Sequence, residues 1–163
     1  MNEEVTSIKE ERKKLYRQYT LELAQYDPDL LNVSTERLDD WALKHMSHHE
    51  WIDIFADGDP YPAGFIVIAN KGCSEHCHPY CNWFICQAYI KPEHRQKGLM
   101  TGTVTEFISE RNGLYGLDVF KKNEHADRFW KHLFERVNGL PVDIPRVRSE
   151  KDEAKVNMYA YIV

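Results

Sequence analysis

Ile90-Lys91-Pro92-Glu93-His94-Arg95-Gln96-Lys97-Gly98-Leu99-Met100-Thr101 joins two kinds of periodicity. Before it, Trp83 to Ile90 reads as a buried strand. After it, Leu99 to Arg111 reads as a helix with Val104, Phe107 and Ile108 on one face and Asn112-Gly113 as its stop. Between them a turn carries Pro92, and Arg95-Gln96-Lys97-Gly98 opens directly into the helix. The backbone N–H groups of a first helical turn lack internal partners, and the helix dipole adds partial positive charge there. Such a turn accepts an anion, and a glycine lets a phosphate approach the backbone. Arg95 and Lys97 add formal charge. One glycine with two cations also suits an ordinary strand-to-helix turn with solvated basic side chains.

Upstream, Ile8 to Tyr26 reads as a helix on the spacing of Leu15, Tyr16, Tyr19, Leu23 and Tyr26, with the charged run Lys9 to Lys14 as a solvated face. Asp27-Pro28-Asp29 ends it, and Ser34-Thr35-Glu36 starts a second helix through Leu38, Trp41, Ala42 and Met46. Strands follow at Trp51–Phe55 and Gly64–Ala69, separated by the turn residues Asp57-Gly58-Asp59-Pro60. With Trp83–Ile90 they suggest an antiparallel meander. Downstream, Leu114–Phe120 reads as a short buried strand. Glu124–Val137 reads as a helix with a stripe of Ala126, Phe129, Trp130, Leu133, Phe134 and Val137, capped by Asn138-Gly139. The alternating tail Val156–Val163 closes the chain as a strand. The order, ααβββαβα and then one or two strands, predicts a single α/β domain over residues 1–163, with one parallel strand–helix–strand unit.

The stretch from Ile90 to Thr101 resembles the signature of the GNAT superfamily of acyl-CoA-dependent N-acetyltransferases. There a strand ends in an apolar residue, a proline follows two later, and Arg/Gln-x-x-Gly-x-Gly/Ala opens a helix. Arg95 and Gly98 match, while Met100 stands at the second small position and Gly102 does not restore the spacing. A second segment, Leu117 to Trp130, is similar to the family's strand-Asn-x-x-Ala-x-x-Phe-Tyr element through Asn123, Ala126 and Phe129. The resemblance implies a mixed, mostly antiparallel twisted sheet flanked by helices, splayed between the strands that end at Ile90 and Phe120. It implies acetyl-CoA as co-substrate, its pyrophosphate on the loop of Arg95, Gln96, Lys97, Gly98, Leu99, Met100 and Thr101. Its pantetheine arm would meet the backbone around Tyr89, Ile90 and Lys91, with Asn123, Ala126, Phe129 and Trp130 beside it. The implied reaction is direct attack of a primary amine on the thioester in a ternary complex, with the Ile90 backbone N–H as oxyanion donor.

The acid and base are where the chain departs from that pattern. Trp130 stands where the family usually has a tyrosine acid, and an indole N–H does not donate a proton at accessible pH. Gln87 stands on the strand where the family often has a glutamate base, and an amide is no base. Tyr89 can donate a hydrogen bond or serve as a core aromatic, and Asp118 is a candidate base. His48, His49 and Glu50 read as a solvated helix end or as a border of the acceptor site.

Cys73, Cys77, Cys81 and Cys86 fall within fourteen residues, beside His76 and His78. Zinc favours such ligands, yet Cys-x₃-Cys-x₃-Cys is no standard finger spacing, and a variable loop of free thiols is the better reading. No metal site is assigned. Of the 163 residues, 21 are Lys or Arg and 26 are Asp or Glu, a net charge of −5. That argues against nonspecific nucleic-acid binding and anionic membrane surfaces, and weakly favours a cationic or polar acceptor. The acidic start Met1-Asn2-Glu3-Glu4 does not resemble a secretory signal, which suggests a cytoplasmic protein. The tail strand offers an edge for pairing into a homodimer. Two other classes stay open: a non-catalytic acyl-CoA-binding or regulatory protein, and a metal-dependent interaction module built on Cys73–Cys81.

Overall fold

A computed structural model of the chain describes residues 3–71, 78–146 and 154–163. Its elements are α1 (Glu3–Leu23), α2 (Thr35–His48), β1 (Glu50–Phe55), β2 (Pro62–Asn70), β3 (Trp83–Ile90), α3 (Leu99–Glu110), β4 (Leu114–Phe120), α4 (Glu124–Arg136), β5 (Leu140–Pro141) and β6 (Val156–Ile162). The architecture is the α/β one expected, a mixed six-stranded sheet with flanking helices and strand order β1-β2-β3-β4-β6-β5. Most strands and helices fall close to their sequence readings, because a local stop bounds them, whereas α1 begins five residues before the Ile8 read from the sequence and ends three before Tyr26. Pro28–Asn32 forms a short 3₁₀ turn, which a proline at its first position favours. The Ser34 side chain caps α2 by accepting the Arg37 N–H. Asn138, at φ 57°, ends α4 in the left-handed conformation asparagine tolerates.

β2 and β3 run antiparallel: the Lys91 N–H donates to Ala63 at one end and the Lys71 N–H to Asn82 at the other. β3 and β4 pair parallel from Trp83↔Tyr115 to Ile85↔Leu117, as the strand–helix–strand reading requires. β3 continues to Ile90 and β4 to Phe120 beyond those pairs. β4 and β6 pair antiparallel over their whole length, from Leu114↔Ile162 to Phe120↔Val156. The tail strand is therefore no sheet edge. It lies between β4 and β5, so any pairing across a two-fold at this end would start from the two residues of β5.

The chain folds as two compact units. The first comprises residues 1–67 and 87–100, the second 68–86 and 101–163. In the first, Tyr16, Trp51 and Phe65 form the centre, with the Trp51 and Phe65 rings stacked at 4.4 Å and 17°. Leu15, Ala42 and Ile54 are buried around them. The charged run of α1 is more than a solvated face. Arg12 makes a forked pair with Asp53, at 3.0 and 2.7 Å to one carboxylate oxygen, and Asp53 also accepts the Trp51 indole N–H. In the second unit, Tyr115 and Phe134 are fully buried and Phe134 stacks on Tyr161 at 4.3 Å and 3°. Gly116 admits no side chain there, since a Cβ would lie 2.6 Å from Cys81 Sγ and 2.9 Å from the Phe84 ring.

Candidate active site

β3 carries the residues of interest to its end at Ile90. Tyr89 is buried and packs edge-on against Tyr19 of α1 at 6.1 Å. Burial pushes its hydroxyl above the ordinary tyrosine range. The Glu22 carboxylate adds to this, and the Arg95 guanidinium opposes it. Tyr89 therefore keeps its proton at neutral pH and can donate a hydrogen bond but not accept a proton as a base. Gly64 of β2 sits against this strand end. A Cβ there would lie 2.2 Å from the Tyr89 carbonyl oxygen and 3.0 Å from Ile90 Cα. Only a glycine allows β2 to lie that close.

After Ile90, Pro92–His94 forms a 3₁₀ turn. Gln96 and Gly98 then both adopt left-handed backbone, at φ 59° and 75°, immediately before α3 starts at Leu99. For glutamine this conformation costs about 1 kcal/mol. Alternation of left-handed residues turns successive N–H groups toward one side, the geometry of an anion nest. No atom lies within 4 Å of where a Gly98 Cβ would be, and Gly98 and Lys97 are exposed. α3 has no acidic residue in its first turn, whereas α2 has Glu36 and α4 has Glu124 and Asp127. Met100, the departure from the motif, is half-buried.

Arg95 is not turned outward toward that nest. Its Nε donates to the Ile90 carbonyl at 2.8 Å and its terminal nitrogen to Glu22 at 2.5 Å. The guanidinium also lies 5.6 Å from the centre of the Tyr89 ring. Gln87 lies two residues before Tyr89, and its amide nitrogen is 3.1 Å from His45 Nε2. An amide nitrogen only donates, so His45 Nε2 accepts. His45 also packs edge-on against His49 at 5.1 Å. His48 is exposed, with its Nδ1 2.9 Å from the Lys44 carbonyl, as a helix-end histidine should be. Sequence reasoning passed over both Glu22 and His45. The four-residue spacing of His45 and His49 was a readable signal, and nothing local marked Glu22.

In the second unit, Asn123 caps α4 by accepting the Ala126 N–H at 3.1 Å. Trp130 is buried, while Ala126 and Phe129 are half-buried, and the Phe129 and Trp130 rings meet at 5.0 Å and 75°. The tryptophan rather than the phenylalanine is thus the core residue of the pair. Asp118 lies opposite Met158 on β4, with both carboxylate oxygens shielded from water. Most of the Cys73–Cys81 segment lies outside the described residues. Within them, His78 uses both ring nitrogens on backbone: Nε2 lies 3.0 Å from the Pro145 carbonyl, and Nδ1 accepts from Tyr80. Cys81 is buried, and no group of three or more potential metal ligands forms among the described residues. Nor is any described helix long and apolar enough to cross a membrane.

No curated protein matches the chain. An N-acetyltransferase from Staphylococcus aureus Mu50 superimposes with a TM-score of 0.63 at 11% identity, over 95% of this chain and 96% of that one. The PaiA N-acetyltransferase from Thermoplasma acidophilum, solved in complex with coenzyme A, gives 0.60 at 13% identity, over 96% and 94%. The microcin C7 self-immunity acetyltransferase MccE, solved with acetyl-CoA and AMP, gives 0.59 at 11%, over 96% and 88%. At such identities the likeness is one of fold. The sequence itself matches the acetyltransferase (GNAT) family over residues 12–134, which covers both motif segments, and the chain belongs to that family.

Proposed function

We propose that this protein transfers the acetyl group of acetyl-CoA to a primary amine, by direct attack in a ternary complex. The observation that carries the reading is the left-handed pair Gln96 and Gly98 leading into α3 directly behind the end of β3. The nest and the helix N-terminus supply N–H groups from Gln96 to Thr101 for the pyrophosphate, and Lys97 supplies charge. The open space at Gly98 leaves room for a phosphate oxygen. The pantetheine arm runs along the backbone of Tyr89, Ile90 and Lys91. Asn123, Ala126, Phe129 and Trp130 enter the proposal through their match to the family's second motif. The coenzyme A and acetyl-CoA complexes of the two neighbours named above favour this co-substrate.

The chemistry asks little of the side chains. The amine nitrogen attacks the thioester carbonyl, the Ile90 N–H stabilises the oxyanion, and the C–S bond breaks to release the thiolate. Trp130 offers no proton to that sulfur, and a thiolate leaves unassisted because its ordinary pKa is modest. Tyr89, kept protonated by its burial, is the hydroxyl donor nearest in sequence to Ile90. Asp118 is the candidate to take the proton of the ammonium.

The test is calorimetric titration of the full chain with acetyl-CoA, against dephosphorylated pantetheine as control, followed by turnover with a panel of primary amines. Micromolar, pyrophosphate-dependent binding with amine-dependent thiol release is expected. Absence of binding at millimolar acetyl-CoA overturns the reading. Binding without turnover on any amine would leave an acyl-CoA-binding protein, the outcome that Gln87 and Trp130 would explain.

A further inference from the structure

We propose that Glu22 is a positioning residue of the cofactor site, holding Arg95 as a brace on the end of β3 and away from the phosphates. The inference rests on the acetyl-CoA reading above. Arg95 is the motif arginine and would be taken as a phosphate ligand on charge alone. Its guanidinium is already committed three ways: to the Ile90 carbonyl at 2.8 Å, to Glu22 at 2.5 Å, and to the face of Tyr89. The first bond spans the turn from Ile90 to Arg95, which the Arg95 N–H also closes onto Pro92 at 3.2 Å. The second fastens that turn to the last turn of α1, since Glu22 is one residue from its end. The fork of arginine presents separate N–H groups to the two acceptors in a fixed geometry, where a lysine offers one compact charge on a flexible stem.

The consequence concerns where the backbone points. Gln96 takes up left-handed φ one residue after the braced side chain, and Ile90 presents the N–H proposed to meet the thioester on the residue whose carbonyl Arg95 holds. The brace thus fixes both ends of the loop, while the anion is left to the backbone nest and Lys97. Both charged groups of the brace are about one-third exposed, at 37% and 36%. A single substitution should therefore loosen the loop without unfolding the chain.

The experiment titrates the full chain and its variants with acetyl-CoA at several salt concentrations, with thermal melts on the same samples. Glu22→Gln should weaken acetyl-CoA binding about threefold to tenfold while the protein stays folded, the size of a partly solvated charged hydrogen bond. Arg95→Met should weaken it at least as much, yet leave the salt dependence of the Kd as in the wild type, because no phosphate partner is lost. Lys97→Met should flatten that dependence. Tighter binding by Glu22→Gln, as expected if Glu22 merely competes with phosphate for Arg95, would overturn the proposal. So would a flattened salt dependence in Arg95→Met, or a fall in melting temperature with the Kd unchanged. Failure of the wild-type chain to bind acetyl-CoA is a separate result, seen before any variant is made, and removes the reading on which the brace depends.

Discussion

Helices α1 and α4 are held by different means. α4 is held by rings: Trp130, Leu133 and Phe134 form one buried stripe, and Phe134 lies flat on Tyr161. α1 buries Leu15 and Tyr16, but its flanks are tied by charge at intervals of five residues. Arg12 pairs with Asp53 of β1, Arg17 with Asp39 of α2 and Glu22 with Arg95 of the loop. An apolar stripe is written entirely within its helix and needs only some apolar surface to meet. A charge clamp is written half in the helix and half tens of residues away. The first kind of contact supplies most of the stability, and the second fixes position and orientation more than it stabilises.

Substitutions can break that contrast, beginning with the largest effect. Phe134→Ala should cost about 3–5 kcal/mol in denaturant unfolding, the range for a fully buried aromatic. A loss under 1 kcal/mol would mean that the rings of the second unit are not its main support. Gly64→Ala should come next, at about 3 kcal/mol, because the added methyl meets the Tyr89 carbonyl oxygen, which cannot give way as the Ile90 side chain beside it can. Under the proposed acetyl-CoA reading it should also weaken acetyl-CoA binding, which calorimetry would show, since the displaced residues are those of the strand end. Asp53→Ala should cost about 2 kcal/mol, as it leaves both the Arg12 fork and the Trp51 indole N–H without their acceptor. If it cost as much as Phe134→Ala, the distinction between ring support and charge clamp would collapse.

The smallest effect is on pH. The hydrogen bond from Arg17, with its charge, holds the Asp39 carboxyl below the usual carboxylate range. A group whose folded pKa is lowered contributes above its unfolded pKa and loses that contribution as the pH falls through the folded value. Unfolding followed from pH 7 downward should therefore show this contribution lost only below about pH 4, the ordinary aspartate range. Asp39→Asn should remove a few tenths of a kcal/mol at pH 7 and progressively less as the pH falls below that range, as suits a pair this open to solvent.

The same contrast explains what could be read from the sequence. β3 and β4 fall on their predicted bounds, Trp83–Ile90 and Leu114–Phe120. Each is an apolar run closed by a glycine, proline or lysine signal within a few residues. The helix start at Ser34 was legible for the same reason, since a cap and the N–H it accepts are three residues apart. Arg12 was read as solvated because its partner is 41 residues away, and Glu22 carried no signal because Arg95 is 73 residues away. His45 and Gln87, separated by 42 residues, escaped similarly. β5 is two residues long and contains a proline, so neither periodicity nor propensity could announce it. The loop from Arg95 to Gly98 was legible as a likeness to a family motif. That Arg95 faces inward was not, because a motif records which residue is present and not where its side chain goes.

Two glycines near that loop also differ in what they would permit a protein engineer. Gly98 restricts by torsion: the space where a side chain would go is open, so a replacement has room but must adopt φ 75°. Asparagine, which tolerates that region, is the natural survivor. Gly64 restricts by volume, and what blocks it is the main chain of residues 89 and 90. No second-site change of side chain can clear a carbonyl oxygen out of the way. In a randomised library, position 98 should return a short list of residues, and position 64 should return glycine.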